Sequence, residues 1–174
     1  DTSATVVMNE PITQKASWSM QYFLDIVSPY SEYTGEGWYD YGETATVYIN
    51  PSVNQGEGER IQFSGWTGVG SSSYTGPDNE FQITMRGPVT ETAEWQVEYF
   101  LDIISEWGTP RGEGWYSKGD VAAIRVDSVF TISDNHRYRF TGWSHTGDGG
   151  YTGEALEADV VMSGPVEETA FWKE

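Results

Sequence analysis

The 174-residue chain contains no cysteine, few basic residues and only two histidines. The absence of cysteine excludes disulfide bonds, thiolate metal sites and cysteine nucleophiles. Lysine and arginine together number 9 against 27 acidic residues, so the formal charge is 9 − 27 = −18. Because a surface with that charge repels phosphate, we predict that the chain binds no nucleic acid.

Long hydrophobic runs are also missing. A membrane-spanning helix needs about 18 to 20 consecutive apolar residues, and no such run occurs. We therefore expect no membrane insertion within these residues. Hydrophobic residues still make up 37% of the chain, which is enough to build a folded core rather than a disordered polyelectrolyte.

What the chain does contain is an internal repeat of 77 residues. Trp18, Trp95 and Trp172 are separated by 95 − 18 = 77 and 172 − 95 = 77 residues. Residues 21–97 align with 98–174 without a gap, and about 30 of the 77 positions are identical. The sequence thus predicts two complete repeats, 21–97 and 98–174. Residues 1–20 match the end of a repeat and are predicted to be the C-terminal strand or strands of a preceding copy, packed against a neighbour.

The apolar pattern within each repeat has a period of two, which is typical of β-strands. It is clearest in residues 22–26 and 44–49, and no stretch has the spacing of an amphipathic helix. Turn residues such as Asn50-Pro51 and Gly87-Pro88 separate the strands. We predict an all-β fold of tandem small β-sandwiches, immunoglobulin-like or β-grasp-like.

The boundary between the repeats keeps the same alternation. From Ala93 through Trp95, Val97, Tyr99 and Leu101 every second residue is apolar. A flexible linker rich in Gly, Pro or Ser is absent there. The sequence therefore predicts that one uninterrupted extended segment passes from the first repeat into the second and couples them mechanically.

The order of motifs in each repeat resembles that of the divergent internalin-type B-repeats. The motifs are Tyr-x-Leu-x-Ile, Gly-x-Gly-Trp-Tyr-x-x-Gly, Arg-x-x-Phe-x-Gly-Trp and Met-x-Gly-Pro-x-x-x-x-Ala-x-Trp, which in the first repeat include Gly42, Arg60, Gly65, Trp66, Met85 and Trp95. The resemblance implies a repeat module of bacterial or archaeal cell-surface and secreted proteins, with no enzymatic activity.

We therefore expect a non-enzymatic, extracellular structural repeat that serves as a stalk, an adhesin shaft, or a surface-layer or filament segment. Its expected partners are neighbouring repeats of the same polypeptide and other copies in a filament or surface layer. His136 and His145 align with Glu59 and Gly68 in the other repeat. A catalytic role that was duplicated with the repeat would keep its histidine, so we place both histidines in surface loops.

Calcium is the only cofactor that the sequence suggests, because hard cations prefer carboxylate oxygens. Asp148 and Glu154 lie in a Gly-rich loop of the second repeat, while the first repeat has Ser71 and Pro77 at these positions. The alternative is that this loop is simply a solvated acidic surface.

Exposed aromatic residues give an alternative function, carbohydrate binding. Trp38-Tyr39 and Trp115-Tyr116 are adjacent pairs, so on a strand one member of each pair faces away from the core. Aromatic faces in such positions can stack on sugar rings. The candidate ligand residues are Trp38, Trp115, Tyr74 and Tyr151.

Overall fold

The computed structural model describes residues 5–174, which form β-strands and turns with no helix. The prediction of an all-β fold is confirmed. The strands are β1 (Gln21–Val27), β2 (Tyr33–Thr34), β3 (Gly37–Asp40), β4 (Thr44–Ile49), β5 (Ser52–Gly56), β6 (Glu59–Val69), β7 (Glu80–Thr84), β8 (Val89–Ser105), β9 (Gly114–Ser117), β10 (Val121–Arg125), β11 (Val129–Ser133), β12 (His136–Thr146), β13 (Glu157–Val161) and β14 (Val166–Lys173).

Nine strands form one mixed sheet that runs through both repeats. Its first part has the order β3-β1-β8-β6-β5, and its second part has the order β9-β8-β14-β12-β11. Two smaller sheets, β2-β4-β7 and β10-β13, belong to the first and second repeat. Most strand bounds in residues 98–174 equal those in 21–97 plus 77, as for β6 and β12.

Parallel pairing occurs at corresponding places in the two repeats. Strand β1 pairs parallel with the start of β8, and β8 pairs parallel with β14 through its second half. Strand β8 therefore has two roles: its first half is the last strand of repeat 21–97, and its second half is the first strand of repeat 98–174.

Two separate hydrophobic cores lie within the two repeats. The first contains fully buried Leu24, Val47 and Met85, and the second contains their equivalents Leu101, Ile124 and Met162. No buried residue belongs to both cores among the described residues. Each core follows from the period-two pattern, since the buried residues of β4 and β10 alternate with exposed ones.

A β-bulge fixes the position of the central tryptophan in each core. The register of β6 against β8 shifts between Phe63 and Gly65, where Gly65 has φ of 152°. A Cβ at Gly65 would lie 3.1 Å from the carbonyl oxygen of Gly76, so glycine suits both the backbone and the space. The bulge precedes Trp66, which is buried and donates its indole N–H to the Asp78 carbonyl at 3.1 Å.

Residues 5–20 form no strand and are exposed. Trp18 and Met8 are 94% and 68% exposed, whereas Met85, one repeat later than Met8, is fully buried. The structure thus differs from the expected packed strand. A strand needs neighbours for its backbone groups and apolar side chains, and the body of a preceding repeat is not among these residues. Residues 1–4 of the proposed tail lie outside the described residues, and its assignment to a preceding copy stays a prediction.

Candidate functional site

The most distinctive region of the structure is the part of β8 around Gln96, which we call the junction. Residues of β8 before it belong to the first core, and residues after it belong to the second. Strand β8 passes through it without a break. This confirms the predicted extended segment. On one edge, β8 pairs with β6 up to Tyr99, and on the other edge β9 pairs with it from Glu98 onward. Strands from both repeats therefore hold the junction.

Arg60 connects the two repeats through its side chain. It lies directly opposite Glu98 in the β6–β8 pair, and its Nη2 and Nε atoms lie 2.6 and 2.7 Å from Glu98 Oε2. Its guanidinium also lies 4.3 Å from the ring centroid of Trp115. The Glu98 side chain is only 12% exposed, so this charge-assisted pair is better shielded from water than a surface ion pair.

Trp115 is held in turn by Phe100, its cross-strand partner, at a ring centroid distance of 5.2 Å. Arg60, Glu98, Phe100 and Trp115 lie on one face of the sheet, and we call them the junction cluster. An ion pair, a cation–π contact and an aromatic pair thus act together across the junction.

A backbone contact supports the junction from the turn between β5 and β6. The Phe100 N–H donates to the Gly58 carbonyl at 2.8 Å. Gly58 has φ of 80°, and a Cβ there would lie 3.1 Å from the side chain of Pro165. The turn of the first repeat therefore abuts the start of β14 in the second.

The predicted ligand residues Trp38 and Trp115 lie at equivalent positions with different surroundings. Trp38 is 67% exposed, whereas Trp115, which Arg60 covers, is 36% exposed. No arginine of the described residues lies over Trp38 as Arg60 lies over Trp115. The exposed aromatic surface is therefore much larger on Trp38.

The predicted ligand residues Tyr74 and Tyr151 are half-buried at the edges of the two cores. The Tyr74 ring stacks on Phe81 at a centroid distance of 4.2 Å, and its hydroxyl donates to the Asp78 carboxylate at 2.6 Å. That hydrogen bond raises the pKa of Tyr74 above its ordinary value. A large part of each ring is thus engaged within the protein.

The predicted calcium residues Asp148 and Glu154 are exposed. No group of three or more His, Asp or Glu side chains in residues 5–174 has an arrangement that could hold a metal ion. Both histidines lie in strand β12 rather than in loops. The loop expectation was wrong because β12 continues past the bulge to Thr146, and His145 lies opposite Glu168 in the sheet.

Two buried glutamates are the polar residues that the sequence analysis missed. Glu91 and Glu168 are fully buried at equivalent positions, and their Oε1 atoms accept the backbone N–H groups of Tyr74 and Tyr151 at 2.7 and 2.6 Å. The Oε2 atoms have no hydrogen-bond partner. The available signal was the alternation in β8, which turns Val89, Glu91 and Ala93 to the same side.

Burial raises the pKa of both glutamates, because a charged carboxylate is poorly solvated inside the core. The hydrogen bond from the backbone N–H lowers each pKa in part, and His145 does so further for Glu168. In the first repeat Gly68 takes the place of His145. A Cβ at Gly68 would lie 2.7 Å from Glu91 Oε2.

An aromatic groove of about 420 Å³ lies beside strands β2 and β4 in the first repeat, and we call it the tyrosine groove. Tyr30, Tyr33 and Tyr48 line it together with Glu32 and Asn50. Tyr30 and Tyr48 are 50% and 41% exposed. The equivalent groove of the second repeat is lined by Arg111 and Arg125 and is smaller, about 70 Å³.

Comparisons with known proteins do not identify a family. No family model, curated protein or solved structure matches this chain. In residues 5–174, no helix has the length and apolar character needed to cross a membrane.

Proposed function

We propose that this chain is a non-enzymatic structural spacer built from tandem small β-sandwich repeats. One observation carries the proposal: strand β8 belongs to both repeats, and side chains of both hold it at the junction cluster. An extended strand with pairing on both edges bends far less than a free linker. The function that this arrangement suits is to hold consecutive repeats at a fixed distance and angle.

We place this spacer outside the cell, as a stalk, an adhesin shaft, or a surface-layer or filament segment. The charge of −18 keeps such an array hydrated and discourages lateral aggregation. The resemblance of the motifs to internalin-type B-repeats supports the same placement. Neighbouring repeats are its expected partners.

The test is a measurement of distances between the two repeats. Because the chain lacks cysteine, Thr46→Cys and Ala123→Cys place two labels at equivalent exposed positions of β4 and β10. Pulsed electron spin resonance should give a narrow distance distribution. Inserting five residues of glycine and serine after Gln96 should broaden this distance distribution. The same insertion after Asp148 should leave it unchanged. An equally broad distribution without any insertion would contradict the spacer function.

Carbohydrate binding is the second candidate function, and the tyrosine groove is the observation that favours it. Exposed tyrosine faces beside Glu32 and Asn50 combine stacking surfaces with hydrogen-bonding groups, as sugar sites require. A glycan array tests this function. Loss of a bound glycan in Tyr48→Ala but not in Trp38→Ala would support the groove, and the reverse result would support the exposed tryptophan. An absence of binding to every glycan would count against this candidate.

A further inference from the structure

The tyrosine groove differs in chemistry from the equivalent groove of the second repeat. Thr34 and Tyr48 lie opposite each other in β2 and β4, so their side chains share one face of the sheet. Their equivalents are Arg111 and Arg125, which also lie opposite each other. The first groove is therefore aromatic, whereas the second carries two positively charged side chains. The two grooves thus favour ligands of different charge.

The aromatic rings of the first groove are also more available. Tyr30 meets Trp95 edge to face at a centroid distance of 5.8 Å and stays 50% exposed. Its equivalent, Trp107, lies flat on Tyr138 at 4.3 Å and so turns one face toward the protein. The first repeat has Ile61 in place of Tyr138, which leaves Tyr30 without such a stacking partner. This difference agrees with the larger volume of the first groove.

The tyrosine groove stays open whether a repeat precedes or follows it. Repeat 98–174 follows the groove directly, and none of its residues, all of which the structure describes, lines it. Repeat 21–97 precedes the equivalent groove, whose lining residues all lie in 109–127. A neighbouring repeat on either side thus leaves this position uncovered. The exposure of the groove therefore does not depend on where the sequence begins or ends.

The charges around the groove are negative. Glu32 lines it, and Glu36 accepts a hydrogen bond from the Tyr33 hydroxyl at 3.2 Å. Glu80 lies opposite Tyr48 in the β4–β7 pair, so the two side chains share a face. Among the described residues, no lysine or arginine lines the groove. Aromatic faces next to carboxylates attract a positively charged group, which can lie over a ring and donate a charge-assisted hydrogen bond.

Neutral polar groups complete the lining. Ser31, Thr34 and Asn50 contribute hydroxyl and amide groups, which can exchange hydrogen bonds with the hydroxyls of a sugar. From these observations we infer that the tyrosine groove binds an amino sugar whose amine is free and positively charged. The sugar ring lies against the tyrosine faces and its ammonium group lies beside Glu32. The inference rests on the carbohydrate function proposed for this groove and adds the charge of the ligand.

The experiment is isothermal titration calorimetry of the full chain with a short oligosaccharide of glucosamine and with its N-acetylated counterpart of the same length. Acetylation removes the positive charge and keeps the sugar rings. The free-amine form should bind about tenfold more tightly, as expected for a cation–π contact together with a charge-assisted hydrogen bond. Its advantage should shrink at high salt.

Variants locate the binding in the groove. Tyr48→Ala removes an aromatic face without changing the charge and should weaken binding of the free-amine form at least about tenfold. Tyr48→Arg introduces the residue found at Arg125 in the second repeat and should abolish this binding by repulsion. Glu32→Gln should reduce the preference for the free amine. Tyr41→Ala and Glu154→Gln, which alter an exposed tyrosine and an exposed glutamate outside the groove, should bind as wild type does.

The outcomes separate this inference from the functions proposed above. A chain with a charge of −18 attracts any cation, so binding that Tyr48→Ala leaves unchanged would overturn the inference. A lysine peptide with the same number of amines that binds equally well would overturn the assignment to a sugar. Preference for the N-acetylated form would overturn the inference and leave the carbohydrate function intact. Binding of neither oligosaccharide would overturn both, and no result here affects the distance measurement between the repeats.

Discussion

At the scale of single residues, the buried glutamates are the most unusual feature. Glu91 and Glu168 each bring a carboxyl group with one unpartnered oxygen into a hydrophobic core. A neutral carboxylic acid costs much less to bury than a carboxylate. Burial therefore raises the pKa of both groups relative to the unfolded chain.

Replacing both glutamates with glutamine should remove a pH dependence of stability. Because the folded pKa is raised, the unfolded glutamate loses its proton first as the pH rises through about 4.3, its ordinary pKa. Between this pH and the folded pKa, the free energy of unfolding therefore decreases as the pH rises. We expect the Glu91→Gln, Glu168→Gln variant to be more stable than wild type at pH 7 and to lose this advantage near pH 4.

Urea denaturation across this pH range checks the prediction. Glutamine already occurs one repeat earlier, at Gln14, and it can still accept the hydrogen bond from Tyr74. Glu94→Gln, on the exposed side of β8, is the matched control and should keep the pH dependence of stability of the wild type. A double variant with the same pH profile as wild type would contradict this account.

Arg60 provides the second prediction at this scale. Arg60→Ala removes the ion-pair partner of Glu98 and leaves its carboxylate with the hydrogen bond from Gln96 Nε2 at 3.1 Å, so we expect the free energy of unfolding to fall by about 1–3 kcal/mol. Arg137→Ala, one repeat later, should change it by less than about 0.5 kcal/mol. Chemical denaturation of the two variants side by side measures both effects. Equal losses would mean that the ion pair with Glu98 contributes nothing to stability.

Roles of single residues were the hardest to predict from the sequence. Trp66 follows Phe63 by three residues and enters the core because of the bulge at Gly65, so alternation alone does not place it there. Nor could alternation show that Glu91 is buried without an ion pair, because acidic residues on strands usually face solvent. The contact between Arg60 and Trp115 depends on a pairing between distant strands, β6 and β9 with β8, which no local pattern encodes.

At the scale of elements, β8 was the most predictable part of the fold. Its alternation runs from Ala93 to Leu101 without a breaker, and the strand runs from Val89 to Ser105. Trp38-Tyr39, which the carbohydrate hypothesis placed on a strand, lies in β3. Strands β5 and β11 were missed, since their residues are mostly exposed and show little apolar alternation.

A proline in β8 tests the importance of its continuity. Gln96 is exposed and lies opposite Gln62 in the β6–β8 pair. Gln96→Pro fixes φ and removes an N–H group in the middle of the strand, so we expect lower stability and a broader distance distribution between labels in the two repeats. Gln96→Thr, which suits an exposed strand position, should preserve both. An unchanged distance distribution in the proline variant would show that the continuity of β8 does not determine the angle between the two repeats.

At the scale of the whole molecule, two separate cores share one strand. Leu24→Ala and Leu101→Ala delete equivalent, fully buried side chains, and each should cost about 2–5 kcal/mol. Because β8 contributes to both repeats, we expect Leu24→Ala to lower amide protection in the second repeat as well. Hydrogen exchange measured strand by strand checks this. Loss of protection confined to residues 21–97 would show that the repeats fold independently.

The parallel pairs β1–β8 and β8–β14 determine how such a chain would respond to stretching. A pull along the polypeptide enters the first repeat through β1 and leaves it through β8, which lies beside β1 and runs in the same direction. The two strands are therefore drawn past each other lengthwise, and the hydrogen bonds between residues 24–27 and 89–92 bear the load in shear. Bonds loaded in shear must break together, whereas peeling breaks them singly, so each repeat resists extension as a unit.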